Sequence, residues 1–178
     1  MKTQPKLAGI VLIAAALLFS RNVKAQTTAA HSFRFSLGID AADPTGNLRI
    51  GSNFALGGNG RIQYGVTDRF ALTLTGGGFH FFSKDIPGTN VKFNSFGVIR
   101  VTAGVKEFFT KNIYFGAEAG VGQEETEHDG AGNTKFLLSP ALGYANNRWD
   151  FGVHYDHYSG QDDPYGLVGL RVAYCFGL

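Results

Sequence analysis

Polar and apolar residues alternate along most of this chain. Over 113–122 one face reads Ile113, Phe115, Ala117, Ala119 and Val121, and the other Tyr114, Gly116, Glu118, Gly120 and Gly122. Successive side chains of a strand point to opposite faces, so this period of two predicts a two-sided strand. The pattern recurs and predicts eight strands, over 33–41, 53–66, 70–82, 93–106, 113–122, 135–144, 149–157 and 165–176. The connections alternate in length. Those at 67–69, 107–112 and 145–148 are short and rich in turn formers, and those at 42–52, 83–92, 123–134 and 158–164 are mostly longer and more polar. Short turns at one end and long loops at the other predict an all-β fold, an eight-stranded antiparallel up-and-down transmembrane β-barrel.

The faces give the barrel its direction. Phe33, Phe35, Leu37 and Ile39 oppose Arg34, Ser36, Gly38 and Asp40; Ile99, Val101, Ala103 and Val105 oppose Arg100, Thr102, Gly104 and Lys106. Val168, Leu170, Val172, Tyr174 and Phe176 oppose Gly169, Arg171, Ala173 and Cys175. Lipid satisfies neither a charge nor an open backbone edge, so the charged face turns inward and the sheet closes. Arg34, Asp40, Arg100, Glu118, Asp150, His154, Asp156 and Arg171 are therefore expected to form an interior polar network. If the turn after Lys106 sets it opposite Asn112, Arg100 faces Glu118 across the fourth and fifth strands. An eight-stranded barrel is filled by its own side chains, so no open pore is expected. Phe108, Phe109, Tyr114, Tyr144 and Trp149 fall near the short turns, where an aromatic girdle would sit. The rival fold is a soluble up-and-down barrel or sandwich, a carrier with the two faces exchanged; periodicity alone does not say which face is inside.

The first 25 residues read as a secretory signal peptide. Lys2 and Lys6 precede an apolar core at 7–19 that is short for a bilayer span, and Val23-Lys24-Ala25 is an A-x-A-like cleavage site. Residues 26–32 are then a short lead, and 33–178 the barrel. The leader holds four of the 16 basic residues and none of the 14 acidic ones, so its removal takes the formal charge from +2 to −2. That balance gives no reason to expect a nucleic-acid partner. Cys175 is the single cysteine, which excludes a disulfide-stapled fold. Glycine, at 25 of 178 residues, shows no Gly-X-Y period; within strands it permits bends and close approach.

Few residues suggest chemistry. His157 and Ser159 share a strand face, so the imidazole is placed to act as base to the hydroxyl. The simpler reading is a girdle-level histidine and a loop serine, and their parity opposes that of Asp150, Gly152, His154 and Asp156. His154 and Asp156 supply two ligands of a metal site and lack a third, so a hydrogen-bonded interior pair, with Arg171 nearby, is the expectation. Glu124, Glu125, Glu127, His128 and Asp129 crowd one loop without EF-hand spacing, which reads as a solvated loop, and Asp162-Asp163-Pro164 reads as a turn. No phosphate loop, dinucleotide fingerprint, zinc motif or nucleophile elbow is present, and no cofactor is expected.

The segments Val101-Thr102-Ala103-Gly104-Val105-Lys106, Tyr114-Phe115-Gly116-Ala117-Glu118-Ala119-Gly120-Val121-Gly122, Ser139-Pro140-Ala141-Leu142-Gly143-Tyr144 and Gly169-Leu170-Arg171-Val172-Ala173-Tyr174-Cys175-Phe176 occur together behind the leader. With them the chain resembles the small outer-membrane β-barrel family common in Bacteroidetes-type bacteria, akin to OmpX and OmpW barrels. The resemblance implies an outer-membrane location among lipids that include lipopolysaccharide, insertion by the barrel-assembly machinery, and often no known catalysis. His157-Tyr158-Ser159 is also similar to the His-x-Ser of outer-membrane lipid A deacylases. Their following Asn is Gly160 here, and the stretch 166–171 that would carry their acid has no carboxylate. The leading expectation is a non-enzymatic barrel working in envelope structure or in adhesion and binding through its long loops; the alternatives are a lipid A acyl hydrolase and a soluble carrier.

Overall fold

The computed structural model describes residues 29–84, 95–126, 130–160 and 163–177. The leader, Phe93, Glu127, His128, Asp129 and Asp162 lie outside the described residues. Eight strands, β1 Phe33–Thr45, β2 Ser52–Gly65, β3 Phe70–Ser83, β4 Phe96–Phe108, β5 Ile113–Thr126, β6 Gly130–Ala145, β7 Trp149–Gly160 and β8 Tyr165–Gly177, pair in sequence order. β8 returns to β1, so the sheet closes and every neighbouring pair is antiparallel. A short helix, α1 Leu48–Gly51, crosses between β1 and β2.

Inward and outward positions alternate as strand geometry requires. Adjacent Leu170 and Arg171 are 60% and 4% exposed, and the same contrast separates Ile99 and Val101 from Arg100 and Thr102. The outer surface is an apolar belt that includes Leu37, Ile39, Ile62, Leu74, Val121, Leu142, Val153 and Val172, while the lumen holds the charges. A soluble carrier would carry the reverse distribution; this one suits lipid outside and a polar interior. Outward aromatics cluster at both ends. Trp149 meets Tyr174 edge-on at 5.4 Å and Phe33 meets Tyr64 at 4.9 Å near the short turns, and Phe54 stacks on Phe82 at 5.7 Å near the other end.

The short turns share one construction. Thr67 Oγ1 accepts from the N–H of Arg69 and Phe70 at 3.2 and 3.0 Å, and Thr110 Oγ1 from Asn112 and Ile113 at 3.3 and 3.0 Å. Asn146 Oδ1 accepts from Arg148 and Trp149 at 2.9 Å each. A side-chain oxygen that satisfies two amides closes the chain in very few residues.

That economy corrects the expected register. Phe108 pairs with Tyr114 instead of Lys106 with Asn112, so Arg100 sits across from Gly122 and Glu118 across from Gly104. Arg100 and Glu118 share the lumen but are not cross-strand partners. Phe108 and Tyr114 are also inward and buried, so they belong to no girdle; Phe109, Tyr144 and Trp149 do face outward. Several strands outrun their expected ends. β1 continues through Pro44 and Thr45 against β8, and β5 and β6 stay paired to Thr126 and Gly130 past a bulge at Gln123/Glu125, so most of the expected loop 123–134 is ladder. β7 runs to Gly160 and includes Ser159. The β6–β7 ladder skips Ser139 and Pro140, where proline has no N–H to give.

Candidate functional site

All eight strands contribute to one polar layer across the middle of the lumen. Toward the short turns it centres on Asp150. Lys106 Nζ donates to its Oδ2 at 2.6 Å, Tyr114 OH donates to its Oδ1 at 2.6 Å, and Arg171 and Arg61 stand at 3.4 and 4.0 Å. Arg61 also pairs with Glu118 at 2.8 Å, and that carboxylate accepts from the hydroxyls of Thr73, Thr75 and Thr102 at 3.0, 3.2 and 2.7 Å.

The other half centres on Asp40 and Asp156. Arg100 bridges them, paired with Asp156 and 3.2 Å from Asp40. Asn59 donates to Asp40 at 2.5 Å and Ser139 to Asp156 at 2.5 Å. His154 lies between the carboxylates, Nδ1 at 3.0 Å from Asp156 and Nε2 at 3.5 Å from Asp40. The arginine beside the His154–Asp156 pair is thus Arg100. Arg171 bonds instead to Asn59 and Ser36, at 2.9 and 3.1 Å. Arg34 donates to the carbonyl of Asn146 at the short-turn end, outside the ion-pair layer. Buried charges are tolerated when paired and hydrogen-bonded, which this layer does for each carboxylate. Among the described residues no group of three His, Cys, Asp or Glu is set to hold a metal.

Sequence reasoning left Arg61 and Asn59 out of the network and did not count Lys106 in it. Parity with Gln63 and Gly65 marks the first two as inward. The signal was there, but in a glycine-rich strand it is faint. Some inward glycines make room for large neighbours: a Cβ on Gly143 would enter the Tyr114 ring, and one on Gly169 the His154 ring.

Apolar packing closes the lumen on both sides of this layer. At the short-turn end Phe108 packs on Tyr114, 5.6 Å between centroids, with Lys106 Nζ 3.9 Å from the centre of the Tyr114 ring. At the other end Ala42, Ala55, Phe79, Phe81, Val98, Leu137, Tyr158, Tyr165 and Leu167 form a plug. Phe81 stacks on Phe96 at 4.3 Å, Tyr158 on Tyr165 at 4.9 Å, and Leu48 of α1 packs on top. Cross-ties fasten the rim: Asn47 Nδ2 to Asp163 at 3.3 Å, Lys84 Nζ to the Arg49 carbonyl at 2.7 Å, and Lys135 Nζ to the Asp163 carbonyl at 3.2 Å.

His157 and Ser159 lie on the outward face of β7 near this rim. The His157 ring stacks beside Tyr155, at 6.4 Å, and no hydrogen bond joins it to Ser159 among the described residues. Residues 166–171 of β8 bring no carboxylate to them, and Asp163 is engaged by Asn47.

No protein-family model matches the chain, and no curated protein matches it. Solved structures do. The crystal structure of Ail, the attachment invasion locus protein of Yersinia pestis, superposes with a TM-score of 0.57 at 13% identity, over 83% of this chain and 99% of that one. The backbone structure of Ail in a phospholipid bilayer nanodisc gives 0.58 at 15% identity, over 80% and 99%. The outer membrane protein OprG of Pseudomonas aeruginosa gives 0.52 at 10% identity, over 88% and 100%. This chain has the fold of the small outer-membrane β-barrels. At these identities the likeness carries the fold alone.

Proposed function

We propose that the chain is exported by a signal peptide cleaved after Ala25 and inserted into a bacterial outer membrane by the barrel-assembly machinery. There it is a non-enzymatic barrel among lipids that include lipopolysaccharide. Its work is in envelope structure or in adhesion and binding through the four hairpin connections at the long end. One observation carries this reading: a charged, side-chain-filled lumen plugged at both ends inside an apolar belt leaves the rim as the surface for partners. The family reading, a barrel of the OmpX and OmpW kind from Bacteroidetes-type bacteria, belongs to the same proposal.

Ail has been crystallised with the heparin analogue sucrose octasulfate. The rim here is acidic on balance. The four connections between the observed strands at this end, 46–51, 84–95, 127–129 and 161–164, carry five acidic residues against three Lys or Arg, and Asp43, Glu124 and Glu125 stand on the adjoining strand ends. Such a rim repels a polyanion and fits a basic or uncharged partner surface.

The lipid A acyl hydrolase reading needs His157 to take a proton from Ser159. Mass spectrometry of lipid A from cells expressing the wild type and Ser159→Ala tests both readings. Identical lipid A, with the protein in the outer-membrane fraction, is the expected result. Loss of one acyl chain with the wild type alone would make the chain a hydrolase with Ser159 as nucleophile.

A further inference from the structure

The buried charges are unevenly arranged around a small cavity in the middle of the lumen. Its volume is about 30 Å³, which accommodates one or two waters or one monatomic ion. Arg61, Arg100, Lys106, Arg171 and His154 line it, and Glu118 is the one carboxylate on its wall. Asp40, Asp150 and Asp156, which pair with these cations, sit behind them and do not line it. Three buried nitrogens of the lining residues have no hydrogen-bond partner: Arg100 Nε, Arg171 Nη1 and His154 Nε2. Arg171 Nη1 stands 3.4 Å from Asp150, within ion-pair range but without a bond, whereas His154 Nε2 faces Asp40 Oδ1, itself unpartnered, at 3.5 Å.

Four cationic side chains and one carboxylate face this space, while the carboxylates that balance them lie off its wall, so the wall itself is cationic, and low-dielectric surroundings leave it little screened. Unpartnered buried donors are costly, and a ligand that accepts from them removes that cost. We propose that the cavity is a binding site for one small monovalent anion of chloride size, held by the unpartnered donors of Arg100 and Arg171, with Arg61 and Lys106 completing the cationic wall. The site is independent of the barrel's work at its rim. The anion would act as a structural ligand, tying β4 and β8 together through the lumen and adding stability as its occupancy rises.

The test uses the chain folded in detergent micelles. Crystals grown in bromide should show one anomalous peak among Arg61, Arg100, Lys106 and Arg171. At fixed ionic strength the urea midpoint should be higher in chloride than in gluconate, which is too large to enter. Arg171→Gln should abolish that difference. Glu118→Gln removes the carboxylate from the wall and should enlarge it, which keeps the proposal testable if the arginine variant does not fold. Water alone in the cavity would overturn the proposal. So would a chloride effect equal in wild type and Arg171→Gln, or one unchanged in Glu118→Gln.

Discussion

The lumen contains two layers built from the same set of inward positions but held by opposite physics. In the middle, Asp40, Arg100, Lys106, Glu118, Asp150, Asp156 and Arg171 are joined by ion pairs and hydrogen bonds. Toward the rim the same strand faces present Phe79, Phe81, Val98, Leu137 and Leu167, joined by apolar contact. The centre is specific, because each charge has an assigned partner and loses much if that partner goes. The plug is tolerant, because apolar packing asks for volume more than for identity. A partner-facing rim can vary above such a plug while the ion-pair layer fixes which strands meet.

This difference can be broken by mutation. Asp150→Ala strands Lys106 and leaves Arg61 and Arg171 short of a partner, and should cost about 3–5 kcal/mol in urea unfolding. Adding Lys106→Met to it should recover part of that loss, a coupling that a double-mutant cycle reads directly. Phe81→Ala opens a cavity in the plug and should cost about 3 kcal/mol, with no second deletion that restores it. Equal rescue in both layers would erase the distinction. Gly143→Ala drives a methyl into the Tyr114 ring and should cost about 1–3 kcal/mol while loosening the Tyr114–Asp150 bond. Thr110→Ala lies in neither layer. It removes the acceptor for two turn amides and should cost about 1 kcal/mol, leaving the lumen unchanged by NMR.

The same two layers explain how far the sequence could be read. In the middle of most strands a charge or hydroxyl alternates with an apolar residue, so strand number, face and order follow from period two. Near the rim both faces carry aromatic rings, as in Phe79-His80-Phe81-Phe82, and the alternation fades along with the strand ends. Phe108 and Tyr114 show a second way to misread. Their parity with Lys106 and Glu118 marks them as inward, yet an aromatic beside a turn also suggests a girdle. Register was the least legible feature. The 107–112 connection reads as a six-residue turn until Thr110 is seen to bond two amides, and the Arg100–Glu118 pairing rested on that length. Partners across the lumen, such as Arg100 with Asp156 or Arg61 with Asp150, join strands far apart in sequence, and no local pattern encodes them.

The central claim is that lipid covers one face of these strands and a closed lumen the other. In the chain reconstituted in phospholipid vesicles, with the buried Cys175 replaced by Ser, single cysteines at Val101→Cys and Thr102→Cys test it most directly. The account predicts that a fluorophore at 101 is quenched by spin-labelled lipid, and that the thiol at 102 resists a membrane-impermeant reagent until the barrel is unfolded. Lipid quenching at 102, or free modification of that thiol in the folded barrel, would contradict it.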